Sequence, residues 1–122
     1  MDLKDIMKYS VLAGGKRFRP ILTYTVASLY DTEIEKADSC ASAIELIHIY
    51  SLIHDDLPAM DNDDIRHNQP SNHKVFGEAQ AILAGDGLQA LAFNVISSDP
   101  LIDAITKIKL IELLASSSYA MA

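Results

Sequence analysis

The chain has 122 residues, 49% of them hydrophobic, with five glycines, four prolines and no tryptophan. That is enough for one domain with a buried core, and it argues against disorder. The net charge of −7 argues against a nucleic-acid partner, and a single cysteine excludes an internal disulfide. The sequence contains no apolar run of about 18 residues, so no membrane span is expected. The N-terminus MDLKDIMKYS lacks a signal-peptide pattern, and a cytoplasmic location is the expectation.

Apolar spacing is helical almost throughout. A first helix is expected over about Asp2 to Leu12, with Ile6, Tyr9, Ser10 and Ala13 along one side, ended by Gly14-Gly15. Pro20 fits the first turn of a second helix running to about Tyr30. Asp38 or Ser39 can cap a third helix that reaches Asp55 or Asp56. Cys40 lies in it among small residues and reads as a buried, inert thiol. Leu57 to Asn72 reads as a loop, rich in proline, asparagine and carboxylates. A fourth helix is expected over about Phe76 to Ser97, and a last one from Leu101 to the chain end. No convincing strand pattern occurs. The fold class is all-α, with about five helices in one domain over residues 1–122.

The stretch HDDLPAMDNDD places Asp55, Asp56, Asp61, Asp63 and Asp64 within ten residues. Asp55 and Asp56 end an apolar helix, IELIHIYSLIH, at the pole where negative charge is disfavoured. Two carboxylates there require a cation, and no lysine or arginine lies close in sequence before Arg66. Oxygen ligands select a hard ion, Mg2+ first, which takes one or two carboxylates and completes its shell with water and phosphate oxygens. An open Mg2+ site therefore points to a phosphorylated substrate. On an ideal helix Asp61 would stand about 240° round from Asp55. Pro58 pushes Leu57 out of the helical region, so a broken turn must bring Asp61 back.

Phosphate needs basic groups, and GGKRFRP offers them. Two glycines let backbone approach an anion. Lys16 and Arg19, three apart, can point the same way at a helix start. Arg17 falls between them and reads as structural or solvated. His48 lies seven residues before Asp55, two turns back on the same face and about 10 Å away.

Three stretches, GGKRFRP, ELIHIYSLIHDDLPAMDNDD and NHKVFGEAQAILAGDGLQALAF, resemble the trans-isoprenyl diphosphate synthases, the polyprenyl synthetase family, in its bacterial farnesyl diphosphate synthase (geranyltranstransferase) type. DDLPAMD is similar to that family's first aspartate-rich motif in its longer bacterial form. The similarity runs from about Tyr9 to Ala92. It implies a helical isoprenoid synthase fold and a prenyltransferase that joins isopentenyl diphosphate to an allylic diphosphate, dimethylallyl or geranyl. By position, Asp55, Asp56 and Asp61 would be Mg2+ ligands, with Asp55 and Asp56 catalytic. Lys16, Arg19 and His48 would hold isopentenyl diphosphate, and Arg66 the allylic diphosphate. Tyr50, with Ser51 one turn below Asp55, would form a floor that sets product length.

The chain also departs from the family pattern. Arg66-His67-Asn68 stands where the family has Arg-Arg-Gly, so His67 occupies a substrate-binding position without arginine's fork of donors. Family members are more than twice as long, and their second aspartate-rich motif has no counterpart here. The resemblance therefore implies the N-terminal part of the fold, inactive by itself. The apolar helices IELIHIYSLIH and VFGEAQAILAGDGLQALAF would need covering, so a homo-oligomer is expected. Two rival readings differ in class. His54-Asp55 could be the pair of a helical metal-dependent phosphohydrolase, but that needs a histidine well upstream, and His48 is only six residues away. A non-catalytic partner of a full synthase is the other.

Overall fold

A computed structural model describes residues 2–119. Among these, six helices and one minimal hairpin follow in chain order: α1 (Leu3–Val11), α2 (Phe18–Leu29), α3 (Ile34–Asp55), β1 (Ile65–Arg66), β2 (Gln69–Pro70), α4 (Asn72–Phe76), α5 (Glu78–Ser97) and α6 (Ala104–Ser118). The chain divides into two compact units, Met1–Lys16 with His48–Ala90, and Arg17–Ile47 with Leu91–Ala122.

In the first unit, α1 starts with a reciprocal cap. Asp2 accepts from the Asp5 amide, and Asp5 accepts from the Asp2 amide. The expected side of α1 is the one that packs. Ile6 is buried, and the Tyr9 hydroxyl donates to the Pro70 carbonyl at 2.7 Å. The Tyr9 ring meets Phe76 edge-on at 5.3 Å. Asn72 Nδ2 donates to the Ile6 carbonyl and to Ser10 Oγ. Buried residues on the part of α5 in this unit, Ala81, Ala84 and Leu88, recur at the period of one helix face.

The second unit contains α2, α6 and the neighbouring parts of α3 and α5. Arg17 takes the left-handed conformation at φ 53° and pairs with Glu45 at 2.7 Å, the structural one of the two roles, structural or solvated, expected for it. Asp103 caps α6 by accepting from the Thr106 amide at 2.8 Å.

Five expectations change. The third helix begins at Ile34 rather than at Asp38 or Ser39, and the Asp38 carboxylate accepts from the Tyr24 hydroxyl at 2.6 Å instead of capping. The loop after α3 contains the β1–β2 hairpin, with strands too short to leave a pattern in the sequence. The fourth helix is two helices, parted at Gly77, where φ is 91° and ψ 161°. The last helix starts at Ala104, and Ala120, Met121 and Ala122, which it was expected to include, lie outside the described residues. Finally, α5 is long and apolar enough to cross a membrane by length and composition alone. Its buried alanine-rich stripe is also what the core helix of a globular protein presents.

Cys40 is half-buried, and burial pushes its thiol above the ordinary value, in line with an unreactive group.

Candidate functional site

The acidic segment starts where α3 stops. Pro58 cannot continue the helical hydrogen bonds, and α3 ends at Asp55. The backbone then wraps back on itself. The Asp61 amide donates to the Asp55 carbonyl at 2.7 Å, and the Asp63 amide to the Asp56 carbonyl at 3.1 Å. Asn62, at φ 55°, makes the return possible because asparagine tolerates the left-handed region. The broken turn thus brings Asp61 back beside Asp55, as the position of Pro58 requires.

The hairpin then returns Arg66 to the end of α3. Arg66 pairs with Gln69, and His67 and Asn68 form the two-residue loop at φ 52° and 63°, the signs of a type I′ turn. Ser71 closes the segment. Its amide donates to the Asp64 carbonyl at 2.8 Å and its hydroxyl to the Asp63 carbonyl at 2.7 Å. Lys74 lies 3.5 Å from Asp64.

Asp56 departs from its expected role. It is 3% exposed, and its carboxylate is engaged at both oxygens by Arg66, Nη2 to Oδ1 at 2.6 Å and Nε to Oδ2 at 3.2 Å. Arg66 is thus the cation that answers Asp56. The hydrogen bond to Asp56 raises the guanidinium above its ordinary value, with the charges of Asp56, Asp63 and Asp55 adding to the effect. The clue in the sequence is that Arg66 is the only lysine or arginine between Lys36 and Lys74.

Asp55 is half-buried and Asp61 exposed. Among the described residues, no three His, Cys, Asp or Glu side chains gather as a metal-binding set. Asp55 and Asp61, joined through the backbone at the mouth of α3, still offer the one or two hard carboxylates that Mg2+ takes. They fit that ion; Asp56, already paired, does not.

The remaining site residues are placed as follows. Lys16 is exposed and follows Gly14 and Gly15, at φ 103° and 114°. It lies before α2, and the left-handed Arg17 breaks the helical phase between it and Arg19, so the expected shared direction has no helical basis. Arg19 is exposed in the first turn of α2. His48 is half-buried, and its carbonyl accepts from Ser51 Oγ at 2.6 Å, which turns that hydroxyl back along its own helix. Tyr50 meets the His54 ring edge-on at 5.5 Å. His67 is exposed and lies against the glycine loop, its Cε1 3.2 Å from where a side chain on Gly15 would begin.

His54 turns to α5, where Nε2 lies 3.0 Å from the Ile82 carbonyl. Any Cβ at Gly85 would collide with the imidazole, so the bare helix surface at Gly85 is what admits the ring. This contact was not read from the sequence. With its Nε2 at that carbonyl, His54 offers nothing to the phosphohydrolase reading.

The described residues thus form a helical frame with carboxylates at the end of α3, an arginine returned to one of them by a hairpin, and a lysine that follows two glycines. The polyprenyl synthetase family model matches residues 1–122, and the chain belongs to that family. It is 49% identical over 116 residues to the farnesyl diphosphate synthase of Haemophilus influenzae, covering 95% of this chain and 39% of that protein. With the farnesyl diphosphate synthase of Geobacillus stearothermophilus the identity is 52% over 118 residues, covering 95% and 40%. A solved geranyltransferase structure from Legionella pneumophila superposes with a TM-score of 0.92 at 48% identity, over 95% of this chain and 41% of that one. The fold is the all-α isoprenoid synthase type. The chain spans about two fifths of the length of the curated relatives it matches.

Proposed function

We propose that this chain carries the first-motif half of a Mg2+-dependent prenyltransferase site, for condensation of isopentenyl diphosphate with an allylic diphosphate in the cytoplasm. The observation that supports it most is the wrap that returns the Asp61 amide to the Asp55 carbonyl at 2.7 Å, setting two hard carboxylates at one helix end. The relatives' names, farnesyl diphosphate synthase and geranyltransferase, supply the reaction.

In this reading Asp55 and Asp61 hold Mg2+. Bound there, the ion would supply Lewis-acid stabilisation of a departing diphosphate. Arg66 directs its guanidinium at the allylic diphosphate. Lys16, Arg19, His48 and His67 hold isopentenyl diphosphate, with Lys16 acting as a mobile point charge beside backbone that two glycines leave open. Tyr50 and Ser51, one turn before Asp55, face the path of the growing chain and set its length.

The test is a chimera in which this chain replaces the matched segment of a full-length relative. Pyrophosphate release that depends on Mg2+ and is lost in Asp55→Ala supports the reading. Release that survives Asp55→Ala and Asp61→Ala overturns it. In the same chimera, His67→Arg lowers KM for isopentenyl diphosphate, because a bidentate charged contact replaces an imidazole. Tyr50→Ala lengthens the product, and an unchanged product spectrum rejects the floor.

A second reading, a non-catalytic partner that joins a full synthase, draws on His67, which follows Arg66 where the resemblance implies a second arginine. Turnover that appears only when this chain is mixed with a full-length synthase would favour it.

A further inference from the structure

We infer that Glu45 is a positioning residue for the turn that presents Arg19: it holds Arg17 in the left-handed conformation and so fixes where α2 begins. This rests on reading Arg19 as a diphosphate ligand.

The start of α2 is disfavoured by its own sequence in three ways. Its N-cap is Arg17, at φ 53° and ψ 36°, where a side chain crowds the carbonyl that follows it. The cap makes no side-chain hydrogen bond to the first turn, as serine or aspartate there would. Arg19 is helical although it precedes Pro20, whose ring pushes the preceding residue out of the helical region. Yet the Arg17 carbonyl accepts from the Ile21 amide at 3.2 Å, so the helix does start there.

A contact from outside the helix supplies the difference. Arg17 Nη1 donates to Glu45 Oε1 at 2.7 Å, across 28 residues. The carboxylate has its own need of a cation. Its side chain is 16% exposed, and its neighbours on α3, Ala41, Ala43 and Ile47, are buried. A carboxylate in such surroundings costs free energy until it is paired. The strain at Arg17 and the burial of Glu45 are thus relieved by one contact.

A second tie sets the register. The Tyr24 hydroxyl donates to Asp38 at 2.6 Å. The two ties stand seven residues apart on both elements, from Arg17 to Tyr24 and from Asp38 to Glu45. Seven residues are about two helical turns. The two elements therefore run antiparallel, with α2 held at its cap and near its middle. Once the cap is fixed, so is the rotation of the first turn. Arg19, two residues on and exposed, then has a set direction in which to leave the helix.

The test uses the same chimera and the 122-residue chain. In the chimera, Glu45→Gln should raise KM for isopentenyl diphosphate about tenfold, the worth of one charged hydrogen bond, with kcat unchanged. Adding Arg17→Gly should restore KM, because glycine takes the left-handed conformation without a tether. A merely structural pair would lower stability and leave KM in place, so an unmoved KM overturns the inference. A lower KM also rejects it, since Arg17, once released, would then be binding the diphosphate itself. Failure of Arg17→Gly to restore KM counts against it equally. In the 122-residue chain, Glu45→Gln should speed hydrogen exchange at the Ile21 amide, and Arg17→Gly should slow it again. Unchanged exchange would mean that Glu45 does not fix the start of α2. Where Glu45→Gln does not fold, the double variant Arg17→Gly, Glu45→Gln takes its place. Parent-like KM there sustains the inference, and a raised KM or failure to fold overturns it. Absence of turnover in the parent chimera overturns the functional reading instead, and Ile21 exchange then decides alone whether Glu45 sets the helix start.

Discussion

Arg66 and Asp56, ten residues apart in sequence, meet at two points, with the carboxylate buried and the guanidinium reaching it from a hairpin strand. Removing one partner strands the other. Arg66→Gln leaves a buried, uncompensated carboxylate and should cost about 2 kcal/mol, below the full value for a buried pair because the arginine end is part-exposed. Asp56→Asn in that background should recover part of the loss. Urea unfolding of the four variants checks both statements, and a cost under about 0.5 kcal/mol for Arg66→Gln would place the pair among ordinary surface contacts.

Mg2+ should bind weakly alone and more tightly once pyrophosphate is present, because phosphate oxygens complete its shell. Pyrophosphate without the metal should produce no heat, since Asp55, Asp61, Asp63 and Asp64 surround the approach. Equal binding by Asp55→Ala, Asp61→Ala would show that the ion sits elsewhere.

Gly85→Ala should change sign with its background. A methyl group there collides with the His54 imidazole, which must give up its place at the Ile82 carbonyl. The gain in helix propensity, about 1 kcal/mol, is outweighed by the displaced ring, for a net loss of about 1 kcal/mol. In a His54→Ala protein the ring is gone, and the same change should stabilise by about 1 kcal/mol. Thermal unfolding of the four proteins decides it, and destabilisation in both backgrounds would mean that the helix surface rejects alanine for another reason.

Asp103 provides a pH test. Its carboxyl is held below the ordinary 3.8, first by the Thr106 amide and then by the Thr106 hydroxyl. A carboxyl lowered on folding contributes stability that is complete above its ordinary value and disappears as pH falls through the lowered one. Wild type and Asp103→Ala should therefore differ most in melting temperature near neutrality and converge as pH falls below the ordinary aspartate value of 3.8. A constant difference down to pH 2 would mean that the cap acts through something other than charge.

The isolated chain should self-associate. On α2, Phe18, Ile21, Leu22, Val26 and Leu29 are exposed, and on α6 Ile105, Ile108 and Leu113. A monomer rarely shows contiguous apolar surface beyond a few hundred Å2. Light scattering should give a mass above 13.4 kDa, and Leu22→Lys with Val26→Lys should lower it. A concentration-independent monomer would refute the expectation.

The sequence displayed the helices because their apolar spacing is a local signal. It displayed the broken turn at Pro58 for the same reason. The hairpin was hidden because strands of two residues have no period, and the Gly77 break because valine, phenylalanine and alanine continue the helical pattern on either side. The expectation of open apolar surface fell on α3 and α5, which carry most of the core; α5 does expose Ile82, Leu83 and Leu91, but α2 and α6 expose eight large apolar residues between them. Resemblance supplied the roles of Lys16, Arg19 and His48. Charge counting along the chain singles out Arg66 as the nearest cation, but its pairing with Asp56 depended on a fold-back across ten residues.

Pro58, Ala59 and Met60 are all exposed, yet they lie under the two backbone bonds that return Asp61 to Asp55 and Asp63 to Asp56. What Ala59 and Met60 contribute is contour length. Their identities are open to drift, while the number of peptide units between the two aspartates sets how far the backbone travels before it returns to Asp55 in this chain. The segment behaves as a ruler cut to its own turn.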